Sequence, residues 1–337
     1  MKLKATLFFL LVALQCNAQS SDFNSISFKK ADSIALSYKN ERLTNLPELS
    51  YKLTSHLTTD AERFRAIYRW VCGNISNDYR LYFKNHRKRQ RFQNDSLKLK
   101  AWNDEFKKVL FKKLLKKNTT ICTGYAYLVK ELCNLAHLDC EIVQGYGRTS
   151  MTTIETLTLP NHTWNAVKLD GKWYLSDATW ASGIPNPETN RFEFHYNNGF
   201  FFPNPKLFAI NHYPVDKKWL LLDRNAPTFE TFLENPILYN EAYLYLESHT
   251  SPKKLHNSVR KNENIFFEYQ LLSSPELEQI YFLIDSGSST VKTKPTAVKF
   301  QNQILSLEYT FKRTGFYDVH LYIEDNLIAT YVFEVKK

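Results

Sequence analysis

The 337-residue sequence has no Cys-x-x-Cys pair, no internal repeat and, past its first residues, no apolar run near membrane-spanning length. A bilayer-crossing helix needs roughly 20 apolar residues, so nothing beyond the start is a candidate for one. Without a close cysteine couple, a zinc site has no ligand pair to build on. No nucleic-acid recognition motif is present either, although the formal net charge is +10. What is abundant is apolar and aromatic matter, 43% and 15% of residues, enough for substantial cores.

The chain starts Met-Lys-Leu-Lys, continues through the apolar run Ala5–Leu14 and reaches Gln-Cys-Asn-Ala18. A charged start, a short apolar run and small residues at its end have the form of a secretory signal peptide over 1–18, cleaved after Ala18. Cys16 would suit a lipoprotein, but Gln15 before it fits that reading poorly. An exported chain at the periplasm, the cell surface or outside the cell is therefore expected.

Cleavage would leave Cys72, Cys122, Cys133 and Cys140. On one helix Cys122 and Cys133 would stand about 16 Å apart, too far for a disulfide, which needs Cα atoms within about 7 Å. Cys133 with Cys140 is sterically feasible, and buried free thiols are the expectation for Cys72 and Cys133.

The positive charge is local. Residues 83–117 hold thirteen lysines and arginines against Asp95, Asp104 and Glu105, so the remainder is slightly acidic. The second half, 97–117, sets Leu99, Trp102, Phe106, Val109, Leu110 and Leu114 on one face of an amphipathic helix. Such a segment is a solvated helix face, or a surface for an acidic polymer or a membrane headgroup layer.

Elsewhere the spacing predicts a helix over 25–40 and another beginning at Thr59-Asp-Ala-Glu62, a capping-box pattern followed by the stripe Ala61, Phe64, Tyr68 and Val71. A helix over about 121–136 carries Cys122 in its first turn. Strands follow at 140–147, 162–169 and 172–179, the last two joined by Asp170-Gly171, a strong hairpin signal. A two-residue loop there pairs residues whose numbers sum to 341, which sets Asp177 opposite Trp164 and diagonal to His162 on the same face. From about 255, short strands at 264–270, 279–285, 304–311, 316–324 and 327–335 read as a β-sandwich. The expected division is a helical segment 19–55, a core domain 56–235 with the basic insert 83–117, a linker 236–255 and a sandwich 256–337.

A thiol near a helix N-terminus, an imidazole and a carboxylate, arriving in that order, are the parts of a Cys-His-Asp nucleophilic site. Unpaired N–H groups and the helix dipole favour the thiolate of Cys122, His162 would carry the proton, and Asp177 would orient the imidazole. Each residue alone has an ordinary structural reading: a buried thiol, a strand histidine, a turn-capping carboxylate. Only their joint pattern points to chemistry.

The segments Arg65-Ala-Ile-Tyr-Arg-Trp-Val, Cys122-Thr-Gly-Tyr-Ala, Asn161-His-Thr-Trp-Asn-Ala-Val and Trp173-Tyr-Leu-Ser-Asp-Ala-Thr-Trp together resemble the transglutaminase-like superfamily. The stretch from Phe201-Phe-Pro-Asn-Pro to His212-Tyr-Pro-Val-Asp-Lys-Lys-Trp-Leu-Leu-Leu resembles its kyphoscoliosis-peptidase-like branch. The resemblance covers roughly 56–235. It implies an α+β, papain-like core, a catalytic helix packed on an antiparallel sheet, followed here by an immunoglobulin-like all-β sandwich. It also implies a triad carried by Cys122, His162 and Asp177, in acyl transfer from glutamine or peptide carbonyls to amines or water, with no obligatory metal; no cofactor is expected. The chain departs from the family in having Thr120-Ile121 before the cysteine and in its basic insert. Trp70, at the family's helix tryptophan, is expected to pack in the core rather than serve an oxyanion.

The function expected is acyl transfer or hydrolysis at peptide or glutamine amide bonds, with protein or peptide (cell-wall peptide included) as substrate. Hydrolysis is favoured, because nothing marks an amine-acceptor site. The alternative is a catalytically inactive binding or scaffold protein of the cell envelope that reuses the fold.

Overall fold

The computed structural model describes residues 20–337 apart from 187, 188, 190 and 223–225. The expected signal segment 1–18 lies outside the described residues. No helix among them is long and apolar enough to cross a membrane.

Helix α1 (Lys29–Ser37) and α2 (Leu46–Thr54), the latter capped by Asn45, pack on α3 (Asp60–Asn74). The capping box forms as expected: the Thr59 hydroxyl accepts from the Glu62 N–H, and the Glu62 carboxylate accepts from the Thr59 N–H. The predicted stripe on α3 is only part of what is buried, since Arg65, Ile67, Trp70 and Cys72 are covered as well. The reason is position: α1, α2 and the cysteine helix all pack on α3. Arg65 is tolerated inside because Asp32 accepts from its Nε at 2.6 Å.

The basic segment is two helices, α4 (Tyr79–Phe92), capped by Asp78, and α5 (Ser96–Lys117), capped by Asp95. On α5, Phe106, Leu110 and Leu114 are buried, but Val109 turns outward and Phe111 packs instead, edge-on to Tyr127. Helix α4 has no buried residue, so no apolar stripe announces it.

Helix α6 (Cys122–Leu135) lies against an antiparallel sheet of β1 (Cys140–Gly147), β2 (His162–Leu169), β3 (Lys172–Ser176) and β4 (His212–Pro214), in the order β3-β2-β1-β4. The hairpin β2–β3 has the register that its turn dictates, with Asn165 opposite Ser176 and Leu169 opposite Lys172. Asp170 and Gly171 both have positive φ, 48° and 83°, as a type I′ turn requires. Gly171→Ala is expected to cost about 1 kcal/mol, the left-handed penalty of a Cβ, because nothing lies within 4 Å to clash. Thermal melting would register the loss. Strand β3 is shorter than the expected 172–179: it stops at Ser176, because Asp177 turns the chain into α7 (Ala178–Ser182). Helix α8 (Pro205–Asn211) leads into β4.

The C-terminal region is a two-sheet β-sandwich. Strands 246–251, 264–271, 304–310 and 297–301 make one sheet; the other contains 256–260, 326–336, 315–323, 280–285 and 290–293. Aromatic contacts such as Phe267 with Phe282 and with Tyr331, at 4.8 and 5.3 Å between centroids, fill its interior. The stretch 236–255 is not the expected linker. Ile237 and Leu238 pair with the last strand, and 246–251 forms an edge of the sandwich. Two buried side chains at the end of the core sheet fasten it: Arg148 donates to the Pro236 carbonyl and Asn211 to that of Leu238. Apolar residues at 237, 238, 242 and 246 had no periodicity long enough to reveal this packing.

Candidate active site

Four elements deliver the site. Two-residue strands at 76–77 and 119–120 pair in parallel, and the second runs directly into α6, with Cys122 as its first residue. A Cβ on Gly124 would sit 1.9 Å from Thr120 Oγ1, so the glycine of the Cys-Thr-Gly sequence lets the strand fold back against the first turn. Whereas α2, α3, α4 and α5 are each capped by a side chain, the N-cap of α6 is Ile121, which makes no side-chain cap. Its leading N–H groups are thereby left to serve a thiolate or an oxyanion beside Cys122.

His162 opens β2, and its Nε2 lies 2.6 Å from Asp177 Oδ2. The diagonal placement inferred from the hairpin register is the one found, although Asp177 approaches from a helix N-cap rather than from within the strand. The carboxylate has two tasks. Oδ1 accepts from the N–H groups of Thr179 and Trp180 at 2.8 and 3.1 Å, which fixes the group rigidly. Oδ2 receives His162 and also His212 Nε2, at 3.1 Å. An ionised carboxylate only accepts, so both imidazoles present Nε2–H to it and His162 Nδ1 is left for the Cys122 thiol.

The electrostatics agree with that assignment. Burial works against a charged His162, but the Asp177 carboxylate, with a lesser share from Cys122 within hydrogen-bonding reach, pushes the ring up to about 10. Asp177 is fully buried, which opposes its charge, yet the two imidazoles hold it well below the usual carboxylate range. His212 goes the other way: burial holds it down to about 4 despite its bond to Asp177. The pair His162–Asp177 is therefore ionic and His212 is a neutral donor.

Trp180 stacks on His162 at 5.0 Å and lies 4.3 Å from His212, covering the histidine–aspartate contact on its open side. Phe208 stacks flat on His212 at 3.7 Å. Trp70 is buried and donates to the Tyr38 carbonyl at 2.8 Å, which makes it a core tryptophan with no free N–H for an oxyanion. Cys72, Cys133 and Cys140 are buried free thiols, and burial pushes the Cys72 and Cys133 thiols up. Cys122 is the thiol at the histidine.

His162, Asp177 and His212 are the group among the described residues whose ligand atoms cluster tightly enough to raise the question of a metal. The spacing answers it. Zinc–nitrogen bonds of 2.0–2.1 Å in a tetrahedron put ligand atoms about 3.3 Å apart, whereas 2.6 Å between His162 Nε2 and Asp177 Oδ2 is filled by a proton. His212 went unnoticed as a site residue in the sequence. It stands in the His-Tyr-Pro-Val-Asp stretch that carries the finer resemblance, but a single histidine after a short apolar helix has no spacing that distinguishes it from a core residue.

Residues 47–178 match the sequence profile of the transglutaminase-like superfamily, a span that ends just past Asp177. These residues are a transglutaminase-like domain. The chain is similar to the kyphoscoliosis peptidases of Homo sapiens (34% identical over 53% of this chain and 24% of that one) and Mus musculus (32% over 62% and 29%). It is also similar to Hillarin of Drosophila melanogaster, 24% identical over 87% of this chain and 31% of that one. The chain thus spans about a quarter to a third of the length of these relatives. Similarity to the kyphoscoliosis peptidases agrees with the branch indicated by the stretch 201–222.

Proposed function

We propose that this chain is an exported thiol enzyme that cleaves or transfers acyl groups at peptide or glutamine amide bonds, with hydrolysis favoured over cross-linking. The observation that carries the reading is the buried ionic His162–Asp177 contact set beside Cys122 at an uncapped helix N-terminus. The peptidase names of the two mammalian relatives support the same class of chemistry. In the first step the Cys122 thiolate attacks the carbonyl carbon, the leading N–H groups of α6 receive the developing oxyanion, and His162 gives its Nδ1 proton to the departing amine. The C–N bond breaks and a thioester remains. Water, activated by His162, then adds to the thioester, releasing the acid and returning the thiol. Protein or peptide substrates, cell-wall peptide among them, fit this chemistry.

A non-catalytic scaffold role has one observation in its favour, the low exposure of Cys122, at 5%. Iodoacetamide labelling of Cys122 across pH separates the two, with Cys122→Ala as the unlabelled control. An imidazolium-supported thiolate is expected to label at pH 6 almost as fast as at pH 8, and His162→Ala to slow the pH 6 rate at least tenfold. A wild-type rate that climbs tenfold per pH unit over that range, or labelling only after denaturation, would transfer support to the scaffold reading.

A further inference from the structure

Helix α4 reaches both the cysteine and the histidine segments. On one side its Tyr82 packs against the cluster of Phe106, Leu110 and Ile121, the last being the residue before Cys122. On the other, Arg89 donates from a guanidinium N–H to the Pro160 carbonyl at 2.7 Å, two residues ahead of His162. Thr158 donates to Gln93 at 2.6 Å beside it. Arg89 is thereby tied beside the histidine segment through one terminal nitrogen, and among the described residues no other hydrogen bond or ion pair engages its fork. Burial lowers the Arg89 pKa, and the charges of Cys122 and Tyr82 oppose that shift, so the guanidinium and the thiol sense each other.

Among the described residues, no acid pairs with the lysines and arginines of α4. The helix carries six lysines and arginines and no acid. The acids of the neighbouring insert are occupied on their own helix: Asp95 with Lys98, Asp104 with Lys100, Glu105 with Lys108. Asp78, which caps α4, is bound by Lys113. Arg80, Lys84, Arg87 and Arg91 are exposed along one face of α4, whereas Arg89, half-buried on the opposite face, is tied beside the histidine.

We propose that Arg89 is a specificity-determining residue: it binds a carboxylate on the acyl donor next to the scissile amide, so the preferred substrates are acidic peptides. This rests on the thiol-enzyme reading above and narrows its substrate class. A planar guanidinium suits a carboxylate because two N–H groups can meet two oxygens.

Paired alkylating agents test it. Iodoacetate and iodoacetamide react identically with Cys122, forming the S–C bond and expelling iodide, but only iodoacetate brings a carboxylate. The ratio of their rates on one protein cancels the thiolate fraction and isolates recognition of the anion. At pH 7 and low salt the wild-type iodoacetate/iodoacetamide ratio is expected to exceed that of glutathione by about tenfold, as for one opposite charge at a partly screened site. It should fall to the glutathione value in Arg89→Gln, stay partly raised in Arg89→Lys, and remain unchanged in Arg87→Gln, an exposed position on the same helix. A wild-type ratio equal to that of glutathione overturns the proposal whether or not the variants fold, and so does an unchanged ratio in a folded Arg89→Gln. In both cases, rapid reaction with iodoacetamide would leave the thiol reading standing. Failure of both reagents at native Cys122 would overturn that reading and the proposal with it.

Discussion

Asp177→Asn is expected to cut turnover about a thousand- to ten-thousand-fold while the protein still folds. That magnitude is the loss when the carboxylate that orients a catalytic imidazole becomes an amide. Asparagine keeps the size and keeps one oxygen for the N–H groups of Thr179 and Trp180, so the cap of α7 survives. It cannot do so while also offering an acceptor to two Nε2–H groups. Its amide would meet His162 and His212 with N–H against N–H, forcing the tautomer of one ring to switch and depriving imidazolium at His162 of its counter-charge. Turnover on a peptide substrate, with circular dichroism as the folding control, checks this. A drop of less than tenfold would show that Asp177 is a cap and not an orienting group.

The same network sets the pH response of stability. The folded His162 ring titrates near 10 against an ordinary 6.5, so its contribution is complete below 6.5 and is lost as pH rises towards 10. His212, held at about 4, stays neutral in the fold while the unfolded chain takes a proton, so stability falls as pH drops from 6.5 towards 4. Asp177, depressed below its ordinary 3.8, adds a further loss in stronger acid. Stability is therefore expected to peak near pH 6.5, and urea unfolding at pH 5, 6.5 and 9 would show the maximum in the middle. In Asp177→Asn the alkaline flank should flatten, because Asp177 is what raises His162, while the acid flank that burial of His212 sets should persist.

Much of this site was legible in the sequence, because its geometry is written in local rules. Asp170-Gly171 demands a type I′ turn, the turn fixes the β2–β3 register, and the register brings residue 177 to residue 162. The capping box at Thr59 and the glycine after Cys122 are likewise decided within a few residues. Features that stayed hidden depend on distant partners. His212 acquires its role only when β4 pairs with β1, across more than sixty residues of chain. Helix α4 packs beside the site with half-buried polar residues, which leave no hydrophobic period to detect. The strand expected to run through 172–179 ends early because Asp177 competes as a cap, a choice of side-chain hydrogen bond over ladder that alternating apolarity cannot reveal. The supposed linker 236–255 is held by partners far off in the sequence, residues 148, 211, 268–271 and 329–330.

Gly145→Ala is expected to destabilise the protein by about 3 kcal/mol, at the upper end for overpacked cores, and to damage the site with it. Gly145 lies between two strands, opposite His162 on β2 and Pro214 on β4. A Cβ there would stand 2.3 Å from the Tyr213 carbonyl oxygen, 2.4 Å from the Trp164 ring and 2.9 Å from the Pro214 Cα. Two of those three obstacles are backbone, which cannot swing aside as a flexible side chain would. The ring of Trp164 has no room to retreat, being buried and edge-on to both Phe208 and His212. Relief must come from moving β4 away from β1, and that shift carries His212 with it and lengthens its bond to Asp177. Loss of stability should therefore come with a slower Cys122 alkylation at pH 6, a coupling that a crowded site elsewhere in the sheet would not produce. Gly171→Ala, in the turn of the same sheet, is the matched control: it should lower the melting temperature and leave the alkylation rate as it was. Equal alkylation rates in Gly145→Ala and wild type would separate β4 from the site and demote His212 to a packing residue.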